Sequence, residues 1–132
     1  MNISFDFDGT ISDEFDNTIN PQKEEICKIA RKYILDGHNV CIITKRYDYN
    51  NRHLGKINEY SEVIQSASII GIKNIYFTNR EYKHNHIIDL NIDIHFENDE
   101  YEVKIIENEC LKRNHKCIVV PVEDPYWRDL VY

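Results

Sequence analysis

Ile3-Ser4-Phe5-Asp6-Phe7-Asp8-Gly9-Thr10 is the stretch whose reading decides the fold. Apolar and polar residues alternate, with aromatic and β-branched side chains among them, which predicts a β-strand. Asp6 and Asp8 fall at its C-terminal end, and Gly9 lets the backbone turn sharply just beyond. Residues two apart on a strand share a side. Two carboxylates that close repel, unless a cation lies between them or one is protonated. The stretch therefore predicts a functional acidic site at a strand end; the plain alternative is a turn rich in Asp and Gly.

Working outward, strand and helix signals alternate. Pro21 fits the first position of a helix, with Asn20 as its cap, Glu24 and Glu25 in the first turn and Gly37 as its stop. Ile26, Ala30, Tyr33 and Ile34 recur along it at helical spacing. The run Asn39–Ile43 is short and β-branched and predicts a buried strand. A second helix is predicted from about Lys56 to Ile70, with Ile57, Tyr60, Val63, Ile64 and Ala67 on one face. A strand over 74–78, a helix over 81–90, a strand over 92–96, a helix over 100–114 and a strand over 116–120 follow. The tail, with Tyr126, Trp127 and Leu130, is aromatic enough to dock on the body.

Buried strands joined by helices imply an α/β domain, a parallel sheet covered by helices on both faces, spanning residues 1–132. In such sheets ligands bind at the edge formed by the strand C-termini, near the switch point in strand order. Function is expected in the segments just after the strands.

Composition narrows the classes. A net charge of −7 argues against non-specific nucleic-acid binding by the molecule as a whole. Yet Lys45, Arg46, Arg52 and His53 follow one strand, and Arg80, Lys83, His84 and His86 follow the next. That clustering reads either as solvated loop charge or as a basic rim on an acidic protein. No apolar run reaches the roughly 20 residues that span a bilayer, and with the first strand predicted at the very start of the sequence no signal peptide is expected. The four cysteines lack zinc-ligand spacing and read as small buried hydrophobes, which fits a reducing, cytoplasmic setting.

At the expected edge, Asp6, Asp8, Gly9 and Thr10 follow the first strand, and Thr44, Lys45 and Arg46 the second. Lys83 opens the third helix, and Glu97, Asn98 and Asp99 follow the fourth strand. Acids, a hydroxyl and a lysine converging in this way suit a hard divalent cation such as Mg²⁺ together with an anion. His84, His86 and His95 do not read as ligands: the first two share no helix face, and His95 lies mid-strand as a hydrogen-bonded core group.

This order of parts resembles the haloacid dehalogenase (HAD) superfamily of phosphohydrolases. Asp6-Phe7-Asp8-Gly9-Thr10 matches its first motif, Ile42-Ile43-Thr44 the second, Lys83 the third, and Phe96-Glu97-Asn98-Asp99 the acidic fourth. The resemblance implies a HAD-like Rossmannoid sandwich with a five-stranded sheet in the order 5-4-1-2-3. It implies Asp6 as nucleophile, forming an aspartyl-phosphate, and Asp8 as acid and base. Thr44, Lys45 and Lys83 would hold phosphate. Mg²⁺ would be held by Asp6, Asp8 (through its backbone carbonyl) and an acid of the fourth motif, Glu97 or the competing Asp99. The family commonly has Asp where this chain has Glu97, and often a second Asp where it has Asn98.

Only residues 11–20 separate Thr10 from the first helix, so no cap domain is inserted there and the site is expected to be open. The resemblance thus implies a phosphatase acting on a phosphomonoester, with a nucleotide or a nucleic-acid 3′-phosphate as the preferred guess. The alternative is a catalytically degenerate phosphate- or metal-binding module. A phosphoacceptor receiver domain fits less well, because the strand end where it would need its Asp carries Thr44.

Overall fold

The computed structural model describes residues 1–48 and 57–132, with the backbone alone for 57–59. Arg52, His53 and Lys56, and the side chain of Ile57, lie outside the described residues. Five strands, β1 (Asn2–Phe5), β2 (Asn39–Thr44), β3 (Asn74–Phe77), β4 (Ile94–Glu97) and β5 (Ile118–Pro121), alternate with four helices. These are α1 (Lys23–Leu35), α2 (Ile57–Ile70), α3 (His84–Asp89) and α4 (Glu100–Lys112). All strand pairs are parallel, in the order β3-β2-β1-β4-β5, which is 5-4-1-2-3 read from the opposite edge. β1 is central, and the chain crosses from one side of it to the other between β3 and β4.

Strand alternation divides the core in two. Ile3, Phe5, Ile42, Phe96 and Val120 face α1 and α2, where they meet Ile26, Ala30, Val63 and Ala67. Phe5 and Phe96 stack there with ring centroids 4.5 Å apart. Cys41, Ile43 and Val119 face the other way, against Ile87 of α3 and Val103 and Ile106 of α4. Helices therefore cover both faces, as two-sided burial of near-continuous apolar strands requires. The tail turns back in a 3-10 turn over Trp127–Leu130, burying Trp127 in the α1 side of the core. Arg128 clamps it to Glu25 of α1 at 2.6 Å. No helix among the described residues is long and apolar enough to cross a membrane.

Two local expectations are corrected. β1 ends at Phe5, and Asp6 to Ile11 make a single wide turn, broken at Asp8 (ψ 123°) and Gly9 (φ 74°). α1 begins later than expected, with Gln22 as its N-cap, although Asn20 Oδ1 accepts from Gln22 N at 3.0 Å in the turn leading into it. The Asn20 amide N–H group also donates to the carbonyls of Thr10 and Ser12, at 2.8 and 3.0 Å, and so ties the loop to the turn that follows β1.

Candidate functional site

The turn after β1, the turn after β2, the start of α3 and the end of β4 meet at one edge of the sheet. They enclose a cleft of about 320 Å³. Asp6, Asp8, Lys45, Lys83, Glu97 and Asp99 all line it, joined by Glu14, Asn98 and Glu102. A larger groove of about 450 Å³ lies between α1 and α2, but its charged side chains all come from α1. The sheet-edge cleft gathers charge from the ends of β1, β2 and β4 and from the start of α3.

Its centre is a buried charge triad. Lys83 Nζ donates to Asp6 Oδ1 at 2.6 Å and to Glu97 Oε1 at 2.7 Å, with all three side chains under a tenth exposed. Asp6 directly follows the central strand, Glu97 ends its neighbour β4, and Lys83 is the residue preceding α3. Two carboxylates share one ammonium, so the group keeps surplus negative charge. Burial, reinforced by the Glu97 charge, pushes the Asp6 carboxyl up to about 7. Burial likewise raises Glu97 against the pull of Lys83. For Lys83, burial pulls downward, but the two carboxylates outweigh it and hold the ammonium above its ordinary value. Thr10 Oγ1 donates to the second oxygen of Asp6 at 3.2 Å.

His95, paired with Ser4 across the β1–β4 ladder, fixes the other flank. Its Nδ1 is 2.7 Å from Ser4 Oγ and its Nε2 2.9 Å from Glu97 Oε1. Burial and the nearby Lys83 charge lower its pKa to about 3, so the ring is neutral. With Glu97 accepting at Nε2, the proton lies there, and Ser4 donates to Nδ1. His95 is thus a buried hydrogen-bonded group that orients Glu97.

Asp6 and Asp8 do not face one another. Asp8 turns to Arg46, which donates to its two oxygens at 3.0 and 2.7 Å and also reaches Glu62 at 3.1 Å. The Arg46 guanidinium lies over Phe7, 4.9 Å from the ring centroid. The repulsion expected between the two aspartates is relieved by giving each its own cation. This pairing is the main feature that residue spacing did not show.

The remaining candidates are distributed unequally. Thr44 is buried at the end of β2; its hydroxyl accepts from Arg46 N at 3.3 Å and does not line the cleft. Lys45 reaches into the cleft and pairs with Glu102 at 2.9 Å. Glu102, buried on α4, also accepts from Lys83 N at 2.6 Å, and so holds the lysine backbone as well as Lys45. Nothing in the sequence near Glu102 signalled that role. Asp99 uses one oxygen to cap α4 by accepting from Tyr101 N at 2.9 Å, while its own N–H donates to Glu97 Oε2 at 3.3 Å. Of the two acids considered for the fourth motif, Glu97 is the buried one.

Oxygen donors dominate the cleft: the carboxylates of Asp6, Asp8, Glu97 and Asp99 and the Asn98 amide. That set, with its surplus charge beside Lys83, suits a hard divalent cation. Among the described residues no three acids, histidines or cysteines are already gathered as a metal cage; Asp6 and Glu97 each turn one oxygen to Lys83. Comparison with protein-family models, curated proteins and solved structures gives no match.

Proposed function

We propose that this protein is a HAD-type, Mg²⁺-dependent phosphatase that hydrolyses a phosphomonoester through an aspartyl-phosphate. The observation that carries the reading is the Asp6–Lys83–Glu97 triad, buried at the open edge of a central parallel strand. Asp6, Glu97 and the Asp8 backbone carbonyl are the groups proposed to hold Mg²⁺, with Asp99 at the rim. The cation would offset the repulsion between Asp6 and an incoming phosphate.

The chain's own residues supply the rest. An Asp6 oxygen attacks phosphorus as the bond to the leaving oxygen breaks. Asp8 gives that oxygen its proton, then takes one from the water that displaces Asp6 and regenerates its carboxylate. Lys83 and Lys45 stabilise the phosphoryl oxygens, and Thr44 supports the turn that carries Lys45. Because Arg46 holds both oxygens of Asp8, this cycle requires Asp8 to exchange its partner for the substrate. The same pair favours a second reading, a binding module in which Asp8 stays with Arg46 and no turnover occurs.

Release of inorganic phosphate from 4-nitrophenyl phosphate with Mg²⁺ separates the two readings. Turnover that falls at least a thousandfold in Asp6→Asn, with folding retained, is expected. Undiminished turnover in that variant overturns the mechanism, and binding of phosphate analogues without any turnover selects the module.

A further inference from the structure

Beside the cleft lies a second depression of about 490 Å³, walled by Lys45, Arg80, Glu81, Tyr82, His84 and Asn85. Lys45 lines both spaces, so they adjoin at its side chain. The loop after β3 that forms this wall is bound to the loop after β2. Thr78, Asn79 and Arg80 donate their N–H groups to the carbonyls of Thr44, Arg46 and Lys45 at 2.8, 3.3 and 2.7 Å. Asn79 and Arg80 adopt φ of 55° and 71° to do so, a region that L-residues avoid.

Exposed aromatic rings stand at and beside this depression, and Tyr82 lines it. Tyr82 is 45% exposed and Tyr101 is 65% exposed. Their centroids lie 6.4 Å apart, and Lys45 Nζ is 4.6 Å from the Tyr82 ring. The ring centroid of Phe15, 52% exposed, lies 5.3 Å from the Arg80 guanidinium. A site for a bare phosphate needs only charge. Exposed rings interleaved with cations are the composition of surfaces that stack nucleobases, because every base offers a π-face. The net charge of −7 confines such contacts to this local rim, so the fit is to one base or a few and not a long strand.

We propose that the Tyr82–Tyr101 wall is a stacking subsite for a nucleobase, making the substrate a nucleobase-bearing phosphomonoester whose phosphate lies beside Lys83. This rests on the phosphatase reading of the cleft. The base stacks on Tyr82, and Lys45, between the two spaces, meets the phosphate that the base carries.

The test measures binding by calorimetry to Asp6→Asn protein with Mg²⁺, a variant that lacks the nucleophile and carries less negative charge against the ligand. The probes are thymidine 3′-phosphate, its base-free 1,2-dideoxyribose analogue and a 3′-phosphorylated thymidine trinucleotide. Thymidine 3′-phosphate is expected to bind about tenfold tighter than the base-free analogue. Adding Tyr82→Ala or Tyr101→Ala is expected to abolish most of that ratio, while Tyr82→Trp preserves it. Tighter binding of the trinucleotide identifies a strand end as the source, and equal binding identifies a mononucleotide; both require the base advantage. Equal affinity for nucleotide and base-free analogue overturns the proposal, as does a base advantage that survives both alanine variants. Hydrolysis of 4-nitrophenyl phosphate by the unmodified protein, run alongside, reports on the phosphatase reading separately.

Discussion

At the scale of single residues, the cleft concentrates its constraints on Asp6 and Gly9. Gly9 has φ 74°, and a Cβ there would collide with the Asn98 amide and the Glu14 carboxylate. A left-handed L-residue costs about 1–2 kcal/mol, and this backbone term dominates because Asn98 and Glu14 meet the Cβ with the movable ends of their side chains. Gly9→Ala is therefore expected to lower the urea midpoint by an amount equal to that cost. Asp6 makes stability depend on pH in a definite direction. Its carboxyl titrates near 3.8 unfolded and at about 7 folded, so between those values the folded state binds more protons. The cation-free protein should lose stability from this group as pH rises from about 4 to about 7. Glu97, raised by burial, acts with the same sign. His95, lowered from 6.5 to about 3, acts oppositely, its contribution fading as pH falls below 6.5. Urea unfolding across pH 4 to 8 should show a shallower decline in Asp6→Asn than in the unmodified protein; identical profiles would contradict this account.

At the scale of elements, the turn after β2 does more than its length suggests. It places Thr44 under the cleft, Lys45 at its wall and Arg46 against Asp8, so one three-residue bend ties β2 to the turn after β1. Arg46 is only 4% exposed and its partner Asp8 21% exposed. Arg46→Met keeps an unbranched stem but takes the guanidinium away from both Phe7 and Asp8. A stability loss of about 1–3 kcal/mol is expected by chemical denaturation, and a loss near zero would mean that solvent already screens the pair. The strands and most helices were legible in the sequence because each is an apolar run with its own period, as in Asn39–Thr44 or the Ile26–Ala30 face. The acids at the edge were legible because they follow those runs directly. Partner choice was not. Asp8 with Arg46 and Asp6 with Lys83 are separated by 38 and 77 residues, and no local pattern encodes which cation a carboxylate meets. The expectation that Asp6 and Asp8 share a side assumed that β1 continued; it stops at Phe5 because the following residues turn around Gly9.

At the scale of the whole molecule, the two core layers are unequal. The layer beneath α1 and α2 also receives Trp127, which is 1% exposed, from the far end of the chain. Trp127→Ala removes a large side chain from a filled space and is expected to cost about 3–5 kcal/mol, read as a lower thermal midpoint by circular dichroism. Because it is the only tryptophan, its emission in the unmodified protein should shift to the red in the same transition as the helical signal. A separate, earlier emission change would show the tail undocking on its own.

The route by which Lys83 reaches its partners has a consequence for the order of assembly. Asp6 and Lys83 are separated by 77 residues, and Glu97 follows a further 14 on. During synthesis from the N-terminus, β1, β2 and β3 emerge before β4, whose neighbour in the finished sheet is β1. Until the chain crosses over, the strand that becomes central is an edge, and Lys83, just beyond β3, has neither Glu97 beside its ammonium nor Glu102 to hold its backbone N–H. The first three strands thus lack the hydrogen-bonding neighbour of β1 and the groups that anchor the counter-charge of Asp6. Closure of the sheet and anchoring of Lys83 are therefore linked, so the chemistry of the cleft is complete only once β4 and α4 have joined β1.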